Sequence, residues 1–204
     1  GQAIRVGLDD SMSTGGRGGS DTTRSDVLRA GDGGEGRTEI DAVALGNSTV
    51  EIQAHATGGV GGEGQRFGGN RGVNGAGGQA VAIARGSNAG SSAVDVLASA
   101  TGGQGGGSVS SSTGVGPGEG GSGTAIAHGE SSGGGDVTAT VRVAGGIGTQ
   151  GGVGGEARIV DGASGRTTGT LHLRQEAHGG GRLSGLGGNA ISEITTVDTE
   201  AAHL

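Results

Sequence analysis

The sequence has no cysteine, lysine, tyrosine or tryptophan, and it has a single phenylalanine, methionine and proline. Without these residues the chain can form no disulfide, lysine isopeptide or dityrosine crosslink, so its stability must be non-covalent. The missing lysine also excludes a phosphate-binding P-loop. No apolar run approaches the roughly 18 residues of a membrane-spanning helix, and we expect no membrane span.

Large apolar side chains are scarce as well. Leu, Ile, Val and Phe make up under a fifth of the 204 residues, whereas glycine alone supplies 55. Because glycine loses more backbone entropy on folding than any other residue, an ordinary aliphatic core cannot offset the cost of ordering this chain. The net charge of −7 is too small to favour disorder strongly. We expect hydrogen bonds between closely packed main chains to hold the fold together, with a disordered linker as an alternative.

The same absences argue against several functions. The chain is acidic and lacks both a basic stripe and an aromatic stacking platform, so we predict no nucleic-acid partner. It has no cysteine nucleophile and no serine in a nucleophile-elbow context, and the GIGTQG string at 146–151 opens no predicted helix. We predict a non-enzyme without cofactor or metal, and we interpret the five histidines as polar strand residues. Calcium binding by the carboxylates at 9–10 and 32–35 stays open.

A degenerate repeat organises the chain: an alternating stretch, a polar turn, a second alternating stretch and a glycine-rich run. The clearest copies begin at Ala42, Ala80 and Thr124, weaker ones begin at Ala157 and Ala190, and residues 2–7 read as an opening copy. Starts spaced 33 to 44 residues apart favour stacked hairpins with elastic loops, and an irregular β-solenoid is the other arrangement. We divide the chain into an opening or cap repeat (1–39), central Ala/Gly-rich β repeats (40–189) and a C-terminal edge strand (190–204).

Period-two alternation within the repeats is typical of β-strands, and no stretch has the 3.6-residue period of a helix. We therefore predict an all-β fold of degenerate strand-turn-strand repeats. The predicted core face consists of Val50, Ile52, Ala54 and Ala56 in one copy, and of Val94, Val96, Ala98 and Ala100 in the next.

The glycine-rich runs have a period of their own. Residues 58–64 read GGVGGEG and residues 145–155 read GGIGTQGGVGG. Such GGX triplets suit a polyglycine-II-like strand, which has three residues per turn and no internal hydrogen bonds, but which can bond laterally where glycine permits close approach. A flexible loop is the alternative interpretation.

The strings AVALG…AHATGG, AVAIARG…ASATGG and TAIAHG…RVAGG resemble Ala/Gly-rich repeat segments of secreted bacterial surface and matrix proteins, including fibre-forming ones, over most of residues 40–190. The resemblance implies an extracellular or cell-surface location and no catalytic residues. The GGX runs are also similar in kind to those of snow-flea-type antifreeze proteins and glycine-rich phage tail adhesins. This chain departs from both because long β-like stretches interrupt its glycine runs, and it lacks the disulfides of the antifreeze type.

From these features we expect a non-catalytic structural subunit of an extracellular fibre, sheath or matrix. It would polymerise with itself head to tail through strands at its two termini. The candidate assembly residues are Ala3, Ile4 and Val6 near one terminus, and Ala190, Ile191, Ile194 and Val197 near the other. A glycine-rich adhesin or receptor-binding module is the main alternative, and an ice-binding protein the second.

Two local features complete the expectations. Asn47, followed by Ser48 and Thr49, forms one sequon in a predicted turn and is a candidate glycosylation site in a secretory route. The chain begins at Gly1 rather than Met, and we expect either a processed secreted chain or a fragment.

Overall fold

The computed structural model describes residues 3–7, 12–20, 29–65, 72–107, 116–181 and 186–195. These residues form twelve β-strands and no helix, which confirms the predicted all-β class. The strands are β1 (Ile4–Val6), β2 (Met12–Thr14), β3 (Gly36–Ala44), β4 (Val50–Thr57), β5 (Ala80–Asn88), β6 (Val94–Thr101), β7 (Gly123–Ser131), β8 (Val137–Ala144), β9 (Ala157–Val160), β10 (Ala163–Thr167), β11 (Leu171–His178) and β12 (Ala190–Glu193). Within the described ranges, no helix has the length and hydrophobicity needed to cross a membrane.

The strands form two sheets of six. The first sheet has the order β1-β4-β6-β8-β11, with β2 also pairing β4. The second has the order β12-β9-β7-β5-β3, with β10 also pairing β7. All pairs between these twelve strands are parallel, and the chain crosses from one sheet to the other after almost every strand.

The two strands of a repeat do not pair with each other, so the antiparallel hairpins favoured by the variable spacing are not formed by the described strands. β3 and β4 are joined by a short turn but lie in opposite sheets. Each strand instead pairs with its counterpart in the next repeat, which places like residues side by side, as in the row Val50, Val94 and Val137. Parallel pairing needs a long return connection, and the glycine-rich runs supply it.

The predicted core faces are confirmed. All eight residues named for them are at most 3% exposed, and they belong to one cluster with the inward residues of the second sheet. The second sheet contributes mainly small residues, such as Ala82, Ala84 and Gly86, opposite the valines and Ile52 of the first. A Cβ atom at Gly86 would lie 3.0 Å from Val96 Cγ2 and 3.1 Å from Ile52 Cδ1. The core is therefore a single thin layer in which small residues face larger ones.

Two strands differ from the repeat boundaries read from the sequence. β3 begins at Gly36, six residues before the predicted start at Ala42, because Thr38 and Ile40 already alternate with charged residues. The weak copy at Ala157 is interrupted after β9, where Asp161 has a positive φ of 48°, and the chain resumes as β10.

Candidate functional site: the glycine legs and the two ends of the sheets

Each glycine-rich run leaves the first sheet and comes back to the second. We call the part that follows a first-sheet strand an outgoing leg and the part that precedes a second-sheet strand a returning leg. The outgoing legs are residues 15–20, 58–65, 102–107, 145–149 and 179–181. The returning legs are residues 29–35, 72–79, 116–122, 152–156 and 186–189.

Legs of one kind bond to each other every third residue. The N–H of Gly58 donates to the Thr101 carbonyl at 2.9 Å, and the N–H of Gly61 donates to the Gln104 carbonyl at 2.9 Å. Returning legs do the same, as between the Gly77 N–H and the Glu119 carbonyl. The legs therefore extend the parallel layers of the two sheets beyond the strands.

The second glycine of a triplet bonds between the two layers. In nine successive bonds of 2.7–2.9 Å, the N–H of one glycine donates to the carbonyl of a glycine in the opposite layer. We call this series the glycine ladder. Its members are Gly16, Gly34, Gly59, Gly78, Gly103, Gly121, Gly146, Gly155, Gly180 and Gly188. The ladder alternates strictly between outgoing and returning legs, so it joins all ten legs into one unit.

The ladder explains why these positions are glycine. A Cβ atom at Gly103 would lie inside 3.0 Å of the carbonyl oxygen of Gly59, the ladder member two steps earlier, and real Cβ atoms essentially never show such a separation. The same conflict recurs at every ladder member from Gly59 to Gly188. The third residue of a triplet escapes it, since Val60 and Gln79 are exposed. In a GGX triplet, the first glycine therefore bonds to a leg of the same layer, the second glycine bonds to the opposite layer, and the third residue lies at the surface.

A polar cluster fixes the far tips of the legs. Asn74 is 3% exposed, and its Oδ1 accepts the Gly64 N–H at 2.8 Å. Its Nδ2 donates to the Gly116 carbonyl and to Gln150 Oε1, both at 2.9 Å. Buried polar groups are costly unless they are satisfied, so this network is a structural feature of the tips rather than a reactive site.

The hydrophobic core is only partly covered at the two ends of the stack. Its half-buried members are Ile4, Ile40, Ala42, Leu173 and Ala177. All of them lie on β1, β3 or β11, the strands that end the sheets. Residues at equivalent positions of inner strands, such as Val94 and Val137, are fully buried. The core is therefore fully buried in the middle of the stack and only half-buried at its two ends.

The exposed large apolar side chains are most prominent at these same ends. Leu45, in the turn after β3, is 91% exposed, while Met12 and Val43 are 67% and 63% exposed. Leu186, on the last returning leg, is 76% exposed. The other exposed large apolar residues in the described ranges are only 39–46% exposed, and most of them lie on inner strands and legs, as Ile126 and Val153 do. The most exposed apolar side chains therefore mark the two ends as candidate contact surfaces.

The predicted assembly residues occupy both ends. Ile4 and Val6 belong to β1, which pairs β4 at the edge of the first sheet, and Ala3 directly precedes them. Ala190 and Ile191 belong to β12 at the opposite edge of the second sheet, and Ile194 follows them with 43% exposure. Val197 lies outside the described residues. Sequence reasoning missed β3 and β11, which also end the sheets and are longer.

A charged group lies on the outer face of β3 and β5. Arg85 Nη1 is 2.8 Å from Glu39 Oε1, and Arg37 Nη2 is 3.1 Å from Glu39 Oε2. The hydrogen bonds from Arg85 and then from Arg37 hold the pKa of the Glu39 carboxyl below its ordinary value. Because these side chains are solvated, the pairs fix strand register more than they add stability.

The other candidate functional residues named from the sequence are not brought together by the fold. Asn47 is exposed in the first turn, where its Oδ1 accepts the Ser91 N–H at 2.9 Å. His128 Nδ1 lies 3.0 Å from Ser164 Oγ, and both side chains are half-buried on the second sheet. No group of three or more His, Asp or Glu side chains in the described ranges is arranged to hold a metal ion. Residues 9–10 lie outside those ranges, whereas Asp32 Oδ1 accepts the Ala76 N–H at 2.8 Å.

Comparison with known proteins adds little to this picture. No protein-family model matches the chain, and no curated protein matches it. One solved structure that aligns with it is described as a nine polyproline type II helical bundle springtail antifreeze protein from Granisotoma rainieri. The alignment has 20% sequence identity and covers 89% of this chain and 95% of that one, with a TM-score of 0.17. A TM-score this low does not establish a common fold.

Proposed function

We propose that this chain is a non-catalytic structural subunit that polymerises with itself into an extracellular fibre, sheath or matrix. The observation that carries the proposal is the core left half-covered on the first and last strands of the stack. Because burial of apolar surface is the main driving force of association, covering these ends with further copies would be favourable.

Free strand edges provide a second reason. β3 and β11 each end a sheet, and in the described part of the chain each pairs on one side only. An exposed edge presents unpaired N–H and C=O groups that can accept another strand. Two different ends meeting in a head-to-tail contact give an open filament rather than a closed dimer.

We interpret the repeating unit as one coil of an irregular β-solenoid whose return connection is a pair of polyglycine-II-like legs. The strands pair in parallel in repeat order, and the lateral bonds of the legs recur every third residue, as such strands require. Repeat proteins of this kind contact only their neighbours along one axis, so one more copy adds the same contacts as one more repeat. The extracellular location rests on the resemblance of the Ala/Gly-rich repeats to secreted surface and matrix segments.

The ice-binding alternative needs a regular row of threonines on a flat face. Thr138 and Thr140 do lie on the outer face of β8. Their neighbours in the sheet, however, are Asp95 and Leu97 on one side and His172 and Arg174 on the other. These rows mix charges and an aliphatic side chain, so we place ice binding behind the fibre proposal.

Electron microscopy and sedimentation of the purified chain test the proposal. We expect unbranched filaments above a critical concentration. Deleting residues 190–204, which removes β12, should leave soluble short oligomers, with circular dichroism verifying that the shortened chain retains its strands. A wild-type chain that stays monomeric or forms closed trimers at high concentration would overturn the proposal and favour the adhesin.

A further inference from the structure

We infer that the two ends of the described stack are complementary halves of one coil, so that a second copy continues both sheets and the glycine ladder without a gap. This inference rests on the proposed self-assembly and specifies which groups meet. The partner is another copy of this chain, in the same orientation along the stack.

The first reason is the stagger of the sheets. Among the described strands, the chain changes sheet after β2 and after each later strand except β9, so β1 and β2 lie in the first sheet and β12 lies in the second. One end therefore projects in the first sheet and the opposite end projects in the second. When copies stack head to tail, β1 and β2 of the second copy take the place beside β11, and its β3 takes the place beside β12.

The side chains match in this arrangement. The inward row that begins at Ile4 continues through Val50, Val94 and Val137 and ends at Leu171. Stacking places Ile4 of the second copy directly after Leu171, and Val6 after Leu173. The half-buried Leu173 and Ile4 would then both be covered by aliphatic neighbours, as their inner counterparts are.

The glycine ladder supplies the second and independent reason. It begins at Gly16 in an outgoing leg and ends at Gly188 in a returning leg. Among the described residues nothing accepts the Gly16 N–H and nothing donates to the Gly188 carbonyl. Since every inner step joins an N–H to the preceding carbonyl, the missing step between copies is Gly16 N–H of one copy donating to the Gly188 carbonyl of the other.

Gly16 also differs from the inner ladder members in its surroundings. A Cβ atom there meets nothing within 4 Å, whereas one at Gly59 would collide with the Gly16 carbonyl. In the stacked arrangement, a Cβ atom at Gly16 would meet the Gly180 carbonyl of the neighbouring copy, because each ladder Cβ meets the carbonyl two steps back. Gly16→Ala is therefore compatible with the single chain and incompatible with the contact.

The test compares Gly16→Ala with Gly46→Ala, a turn glycine that also has nothing within 4 Å of an added Cβ. We expect both variants to keep the circular dichroism and melting of the wild type. Gly16→Ala should raise the critical concentration for polymerisation at least about tenfold, and Gly46→Ala should leave it unchanged. Added in small amounts to growing wild-type filaments, Gly16→Ala should stop growth at one end only, since its Gly188 end remains intact.

The outcomes separate this inference from the proposed function. If Gly16→Ala polymerises at the same critical concentration as the wild type, the proposed contact between Gly16 and Gly188 is refuted, and the fibre proposal still stands. A wild type that never polymerises would refute the fibre proposal itself. Should Gly16→Ala fail to fold, the hydrogen-exchange rate of the Gly16 amide in wild-type filaments tests the contact instead. Slow exchange in filaments together with fast exchange in dilute chains supports the Gly16–Gly188 contact, and fast exchange in both refutes it.

Discussion

An alanine in the middle of the glycine ladder is the sharpest perturbation of the single chain. Gly103 donates its N–H to the Gly78 carbonyl and accepts the Gly121 N–H, each at 2.8 Å. An added Cβ would lie 2.8 Å from the Gly78 nitrogen and closer still to the Gly59 carbonyl oxygen. All of these are backbone atoms, so no side chain can rotate away to relieve the contact.

The size of the expected loss of stability follows from the backbone contacts that the added methyl group disturbs. The leg that carries Gly103 has to separate from its neighbours, which weakens two backbone hydrogen bonds worth about 1 kcal/mol each. Overpacking of a closely packed interior adds about 1–3 kcal/mol. The smaller conformational freedom of alanine in the unfolded chain returns about 0.4–1 kcal/mol. We therefore expect Gly103→Ala to lower the free energy of unfolding by roughly 2–5 kcal/mol.

Urea unfolding followed by far-ultraviolet circular dichroism measures this loss, because the chain has no tryptophan or tyrosine for fluorescence. Gly46→Ala is the matched control, with an expected change within about 0.5 kcal/mol of the wild type. Equal stabilities of Gly103→Ala and Gly46→Ala would refute the close packing of the legs. The measurement belongs at concentrations below any polymerisation, so that the two effects stay separate.

Two further predictions concern the leg tips and the surface charges. Asn74→Ala leaves the Gly64 N–H without its acceptor and should cost about 1–3 kcal/mol in the same unfolding assay, and an unchanged stability would contradict the tip network. Arg85→Ala should raise the pKa of the Glu39 carboxyl toward its ordinary value in a carbon-detected NMR titration, whereas the distant Arg5→Ala should not. Since the folded pKa is the lower one, ionised Glu39 stabilises the fold above the pKa of the unfolded chain. That contribution disappears as the pH falls through the folded pKa, and an unshifted titration in Arg85→Ala would contradict the assignment.

The sequence was sufficient to predict the strands and their inward faces. In β4 and β6, β-branched residues and alanines alternate with polar ones, and a period of two has only one structural meaning over eight residues. The GGX triplets likewise predicted lateral main-chain bonding. Both signals are local, and each repeats in several copies along the chain.

The order and pairing of the strands could not be predicted from local sequence patterns in the same way. A turn as short as the one between β3 and β4 is compatible both with a hairpin and with a crossing between two sheets. The choice depends on whether the glycine runs pack as ordered legs, which is a property of all copies together. The interruption at Asp161 and the roles of Gly16 and Gly188 follow from position in the stack, and these residues carry no distinguishing sequence signal.

Hydrogen exchange of individual glycine amides tests most directly whether main-chain bonding holds this protein together. The inner ladder amides, such as those of Gly78, Gly103 and Gly121, should exchange as slowly as the amide of Val96 in the hydrophobic core, because they would open only with the whole fold. The exposed turn amide of Gly46 provides the fast reference. If the ladder amides exchange as fast as Gly46 while Val96 stays protected, the legs are loops and the glycine ladder does not stabilise the fold.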